Sequence, residues 1–139
     1  KLLGNGVENM QIIIFKLKEK YYALQTDEVE EITKKIQPTS VPNTPAWVKG
    51  LINLRGYVVT LLDLALLLEI EESLCYNNII IYNYKDEKIG LLVEDIIGVR
   101  NIEANMIRRV KKELDKGILG IVQTKDYIIN LIDINMLLD

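Results

Sequence analysis

The sequence predicts an all-β fold with short helices, built as two pseudo-repeated small β-barrels that share a hydrophobic core. Three observations point there. An internal repeat spans most of the chain, short runs rich in Ile, Val and Tyr alternate with polar turns, and few stretches sustain a helical period.

The chain begins with Lys1 rather than methionine, so residues 1–9 are set apart as a flexible or extraneous leading segment, and one domain is expected over 10–139. Its first barrel unit is placed at roughly 10–70 and its second at roughly 77–138, with exchange of the N- or C-terminal strands between units left open. The first strand, Ile12-Ile13-Ile14-Phe15-Lys16-Leu17, returns as Ile79-Ile80-Ile81-Tyr82-Asn83-Tyr84, a shift of 67 residues. Polar turns follow in both copies, at Lys18-Glu19-Lys20 and Lys85-Asp86-Glu87, and Asp27-Glu28-Val29 then aligns with Glu94-Asp95-Ile96. Thr44-Pro45-Ala46-Trp47-Val48 reads as the start of a helical turn, with Pro at the first helical position and Gly50 as its end. The block Gly50–Leu64 recurs as Gly120–Ile134, a shift of 70 residues, with tight turns at Leu54-Arg55-Gly56-Tyr57 and Thr124-Lys125-Asp126-Tyr127. Asp63 and Asp133 close these hairpins as expected N-caps of short helices, whose first backbone N–H groups need an acceptor. Units of about five short strands are too small to stand alone, and closing them into barrels removes exposed edges.

Composition excludes much chemistry. The 139 residues hold 17 Lys+Arg against 20 Asp+Glu, a net charge of −3, and 49% are apolar. A chain of this length buries roughly 68% of the surface it exposes when unfolded, enough for a core without disulfides or metals. There is no histidine, one cysteine, Cys75, and only Ser40 and Ser73 as serines. Ser-His-Asp triads, Cys-His pairs and His-containing zinc sites all need imidazole, and one thiol makes neither an internal disulfide nor a four-cysteine site. No cofactor, metal or catalytic residue is expected. A lone cysteine, with no signal peptide and no apolar run of about 20 residues, fits a cytoplasmic protein without direct membrane insertion.

Several residues could serve either chemistry or structure. Asp63 as a catalytic carboxylate competes with its recurrence as Asp133 at the same junction, which is what a cap requires. Glu28, Glu30 and Glu31 alternate with Val29 and Ile32 as a solvated strand edge and have no partner base. Trp47 and the seven tyrosines sit at core spacing rather than as a base-stacking platform. Neither glycine-rich phosphate motif occurs. Arg108, Arg109, Lys111 and Lys112 make a short basic run, but Glu113 and Asp115 follow and the whole chain is acidic, so no nucleic-acid partner is expected. Arg55 differs, because a long cation at a hairpin tip contributes little to a core and is available for binding. By exclusion the residues point to a protein-binding module.

The run Pro42-Asn43-Thr44-Pro45-Ala46-Trp47-Val48-Lys49-Gly50-Leu51-Ile52-Asn53-Leu54-Arg55-Gly56-Tyr57-Val58-Val59, followed by Asp63-Leu64, resembles the CheW family of bacterial chemotaxis coupling proteins. The likeness covers nearly the whole chain and is most specific from Gly50 to Asp63. It implies two SH3-like five-stranded β-barrels around a common hydrophobic core. It also implies a non-enzymatic adaptor that joins the cytoplasmic tips of chemoreceptors to the regulatory domain of the histidine kinase CheA, in arrays on the inner face of the membrane. By position, Val29, Glu31, Gly50, Leu54, Arg55 and Gly56 match family positions associated with partner contacts, and Ile97 and Val99 would line the groove between barrels. Thr60 stands where the family often has proline, which adds a backbone donor and bears on interface geometry. Other readings are a CheW-like domain cut from a kinase or from a receiver-fused adaptor, a small-barrel nucleic-acid binder, and, weakest, an enzyme.

Overall fold

The computed structural model of the chain describes residues 8–73, 75–109 and 117–139. Strands β1 (Asn9–Leu17), β2 (Lys20–Gln25), β3 (Val29–Lys34), β4 (Val48–Leu54) and β5 (Tyr57–Asp63) lead into helix α1 (Leu64–Leu67). Strands β6 (Asn78–Tyr84), β7 (Glu87–Val93), β8 (Ile96–Glu103), β9 (Ile107–Arg109), β10 (Ile118–Gln123) and β11 (Ile128–Ile132) lead into α2 (Ile134–Leu138). Strand β1 takes in Asn9, and Glu8 accepts a hydrogen bond from Ala104 N–H at 2.9 Å.

The strands make two sheets, β3-β6-β7-β5-β4 and β8-β1-β2-β11-β10-β9. One compact unit is Glu28–Asp95; the other joins Lys1–Asp27 to Ile96–Asp139. These limits depart from the division at 10–70 and 77–138, because each hairpin pairs outside its own repeat. Hairpin β6–β7 takes β3 as antiparallel neighbour and β5 as parallel neighbour. Hairpin β1–β2 takes β8 and β11 in the same way. The unit 28–95 has the expected five strands. The other has six, since β9 pairs with β10 where its counterpart near Thr39 makes only a single bridge to Leu51.

Turn chemistry follows the sequence closely. Lys18-Glu19 and Lys85-Asp86 have left-handed φ of 50°, 68°, 47° and 64°, as two-residue hairpins of primed type require. Arg55 and Gly56 form the third such turn, with φ 50° and 88°. Thr44–Val48 departs from expectation: it is one turn closed by Val48 N–H on Pro45 O at 3.0 Å, because the Thr44 hydroxyl donates back to Val41 O instead of capping a helix. Gly50 ends no helix. It lies in β4 with φ 137° at a register shift between Val48 and Gly50, and a Cβ there would run into the Thr39 carbonyl.

Each unit buries its own apolar residues. Ile12, Ile14, Ala23, Ile102, Val122, Ile129 and Leu131 form one cluster, while Val59, Leu61, Ile79, Ile80, Ile81 and Leu91 are fully withdrawn from solvent in the other unit. Successive residues Ile12–Phe15 and Ile79–Tyr82 are all buried, so both faces of β1 and β6 are covered. No helix is long and apolar enough to cross a membrane among the described residues.

The register shift in β4 also re-aims Lys49. Its ammonium lies 3.6 Å from Asp63 Oδ2 and 2.5 Å from Glu72. Asp63 is wholly buried, caps α1 by accepting from Leu66 N–H at 3.1 Å, and accepts from the Tyr76 hydroxyl. Its Oδ2 makes no hydrogen bond, which leaves Lys49 as the charge that offsets its burial. Ser73 donates to Glu94 at 2.5 Å, so the segment after α1 is pinned to the end of β7. Asp133 is the simpler cap expected, accepting from Asn135 N–H at 2.9 Å. Burial, and then the bond to Asp63, push the Tyr76 hydroxyl far above its usual 10.0.

Two pairs of variants test these assignments by thermal and denaturant unfolding. Gly50→Ala adds a backbone clash to an unfavourable φ and is expected to cost about 3 kcal/mol, against about 1 kcal/mol for Gly56→Ala, where nothing lies near the new Cβ; equal costs would remove the clash. Asp63→Ala is expected to cost about 2 to 4 kcal/mol, more than the roughly 1 kcal/mol of Asp133→Ala, because a buried charged hydrogen bond is lost with the cap. In the alkaline range the folded state keeps the Tyr76 proton while the unfolded state gives it up above pH 10.0, so stability falls as pH rises past that point. Tyr76→Phe should be less stable at neutral pH and have a shallower alkaline decline; an unchanged decline would show that Tyr76 does not carry it.

Candidate functional site

The exposed features of the unit 28–95 gather around the β4–β5 hairpin. Pairing of Leu54 with Tyr57 leaves only Arg55 and Gly56 in the turn, and Asn53 Oδ1 accepts from Gly56 N–H at 3.0 Å. A turn this short holds its tip rigidly, so Arg55 projects with 67% of its side chain exposed while its guanidinium pairs with Glu31 of β3. Tyr57 and Val58, the next residues, are 60% and 68% exposed. Large apolar groups left in water beside a fixed cation are the elements of a binding surface, an apolar centre with a charged rim.

A second ion pair lies beside the first. Glu30 accepts from Lys88 of β7 at 2.8 Å and from the Asn83 amide of β6 at 3.0 Å, and the Lys88 ammonium sits 4.5 Å from the centre of the Tyr57 ring. Adjacent strand residues normally face opposite sides, yet Glu30 and Glu31 both reach cations, because the register shift between Val29 and Glu31 inserts an extra residue into β3. The hydrogen bond from Lys88, then that from Asn83, holds the Glu30 carboxyl below its usual range, and the Glu30 partner raises Lys88 in return. Glu31 likewise raises Arg55, which stays charged at any accessible pH.

The expected site residues fall into three groups. Glu31, Arg55 and Gly56 come together at the hairpin, with Val29 half-buried at the register shift opposite Tyr82. Gly50 and Leu54 are buried in β4, the strand that leads into Arg55. Ile97 and Val99 belong to β8 of the other unit, where they are 37% and 57% exposed. Sequence reasoning put Tyr57 at core spacing, whereas it is 60% exposed, and passed over Val58, Asn83 and Lys88. A signal existed for Tyr57 and Val58, since the Tyr127-Ile128 pair repeats them and Ile128 is also exposed. Glu30, read as a solvated edge, is exposed on the edge strand β3 and is also anchored on both oxygens. Thr60 lies opposite Leu51 and Ile89, inside the sheet rather than at its edge.

Arg108 and Arg109 are exposed on β9, while Lys111 and Lys112 lie outside the described residues. No group of three potential metal ligands occurs among the described residues.

Comparison with known proteins agrees with this geometry. The CheW-like domain profile matches residues 11–139. The chain is 29% identical to the chemotaxis protein CheW of Thermotoga maritima, over 100% of this chain and 94% of that protein. It is 34% identical to the chemotaxis protein CheW of Bacillus subtilis, over 93% and 86% respectively. The crystal structure of the scaffolding protein TtCheW from Thermoanaerobacter tengcongensis superimposes with a TM-score of 0.84 at 29% identity, covering 95% of this chain and 94% of that one. The two sheets are the two SH3-like subdomains of that fold. With the profile covering all but the leading residues, the chain belongs to the CheW-like domain family, a family of non-enzymatic adaptors.

Proposed function

We propose that this protein is a chemotaxis adaptor that joins the regulatory domain of the histidine kinase CheA to the cytoplasmic tips of chemoreceptors, working at receptor arrays through those partners. The observation that carries the reading is Arg55, held out on a two-residue turn within the segment shared with chemotaxis CheW proteins, next to exposed Tyr57 and Val58. A rigid turn lowers the entropy lost when the surface is covered, and an Arg with an aromatic neighbour is a common centre of binding energy. Val29, Glu31 and Gly56 would border the contact, with Gly50 and Leu54 supporting it from beneath. Ile97 and Val99, exposed on β8, offer a second apolar surface to the other partner.

The adaptor performs no chemistry. It influences kinase output only if its contacts differ between the kinase's active and inactive states, since a scaffold that binds both equally shifts neither.

Calorimetric titration against the CheA regulatory domain and against a receptor cytoplasmic fragment tests the reading. Saturable binding is expected for both, and Arg55→Glu should weaken at least one by about tenfold or more with its unfolding temperature nearly unchanged, as for an exposed hot-spot arginine. Binding of neither partner by folded protein would overturn the adaptor reading, and loss of fold in Arg55→Glu would make Arg55 structural.

A further inference from the structure

Arg55 pairs with Glu31 on β3, and Glu30 is the next acid along the same strand, so which of the two it takes decides where its guanidinium points. Both oxygens of Glu30 are engaged by the β6–β7 hairpin, Oε1 by Asn83 at 3.0 Å and Oε2 by Lys88 at 2.8 Å. Glu31 is therefore the acid left for Arg55. Lys88 also packs over the Tyr57 ring, at the foot of the turn that carries Arg55. One cation on β7 touches both neighbours that define the Arg55 surface.

We propose that Lys88 is a positioning residue for partner binding: by holding Glu30 and bracing Tyr57, it commits Arg55 to Glu31 and so sets the direction in which the guanidinium is presented. This rests on the adaptor reading above only for its consequence in binding. Without Lys88, Glu30 keeps only the Asn83 amide and has one oxygen open to Arg55, and the cation divides its time between two adjacent acids at the register shift. An exposed arginine spread over two orientations presents the productive one for part of the time, and binding weakens by that fraction. Exposed ion pairs of this kind are individually weak, so the expected effect is a few-fold change.

The test uses the full chain with Lys88→Met, which keeps the aliphatic stem, and Lys88→Arg, which keeps the charge. In the first arm, with no partner present, NMR follows the Arg55 guanidinium and the Tyr57 ring. Lys88→Met should shift the Arg55 signals and speed their proton exchange, and Lys88→Arg should restore them; unchanged Arg55 signals in a folded Lys88→Met protein would overturn the proposal. The second arm repeats the titrations with the CheA regulatory domain and the receptor fragment. For the partner sensitive to Arg55→Glu, Lys88→Met should weaken binding by about two- to five-fold, Lys88→Arg should bind nearly as wild type, and adding Glu30→Gln to Lys88→Met should cause no further loss. Equal losses in both Lys88 variants, or additive losses with Glu30→Gln, would overturn the link to binding. Wild-type protein that binds neither partner defeats the adaptor reading, while the first arm still decides whether Lys88 positions Arg55.

Discussion

The rest of the unit 28–95 depends on the pairing of hairpin β6–β7 with β3 on one side and β5 on the other. That pairing draws on strands from both sequence repeats, so neither repeat completes this sheet alone. It brings Glu30 against Lys88 and Asn83, although these residues lie more than 50 positions apart in the chain, as the Glu30–Asn83 separation of 53 shows. Long-range pairing costs loop entropy, which is recovered only when Ile79, Ile80, Ile81 and Leu91 leave water. The surface around Arg55 is thus a by-product of core formation, and it forms only with the sheet.

Irregularities in the strands do much of the positioning. In β3, an extra residue lets neighbouring acids serve two different cations. In β4, the shift at Gly50 directs Lys49 to Asp63 and Glu72 instead of outward. Gly50 permits this because its φ of 137° and the nearby Thr39 carbonyl leave no place for a side chain. The glycine and the buried aspartate are therefore linked, although 13 residues separate them in the chain and neither touches solvent in a way that would mark it as functional. Asp63 is met in the interior by a helix cap, a tyrosine hydroxyl and a lysine, a set of partners suited to fixing one local structure.

The two repeats share a scaffold and differ in what they display. Glu30, at the register shift of β3, corresponds to Ile97 opposite the register shift of β1, so one unit presents an acid where the other presents an apolar side chain. Tyr57 receives the Lys88 ammonium, whereas its counterpart Tyr127 meets Tyr21 edge-on at 4.6 Å. Lys49 becomes Leu119, and Asp133 accordingly lacks the buried ion pair of Asp63. Duplication followed by divergence of surface residues yields two unlike faces from one folding pattern.

The sequence alone determined the repeated first strands, the four hairpin turns and both helix caps, because each is set by local spacing and by residues whose backbone preferences act within a few positions. The repeat showed in the coincidence of Gly, Tyr and Asp at fixed shifts, and Arg55 was legible as a cation with no core to join. Only the tertiary structure decided which hairpin joins which sheet, that Thr44–Val48 is a single turn, that Gly50 and Leu54 are buried, and that Lys88 and Asn83 belong beside Arg55. The reason is physical: a period of two identifies a strand and its two faces, but the choice of neighbour depends on burial summed over both repeats. Ion pairs such as Lys88–Glu30 have no sequence signature, since any surface lysine and glutamate look alike until the backbone brings them within 2.8 Å.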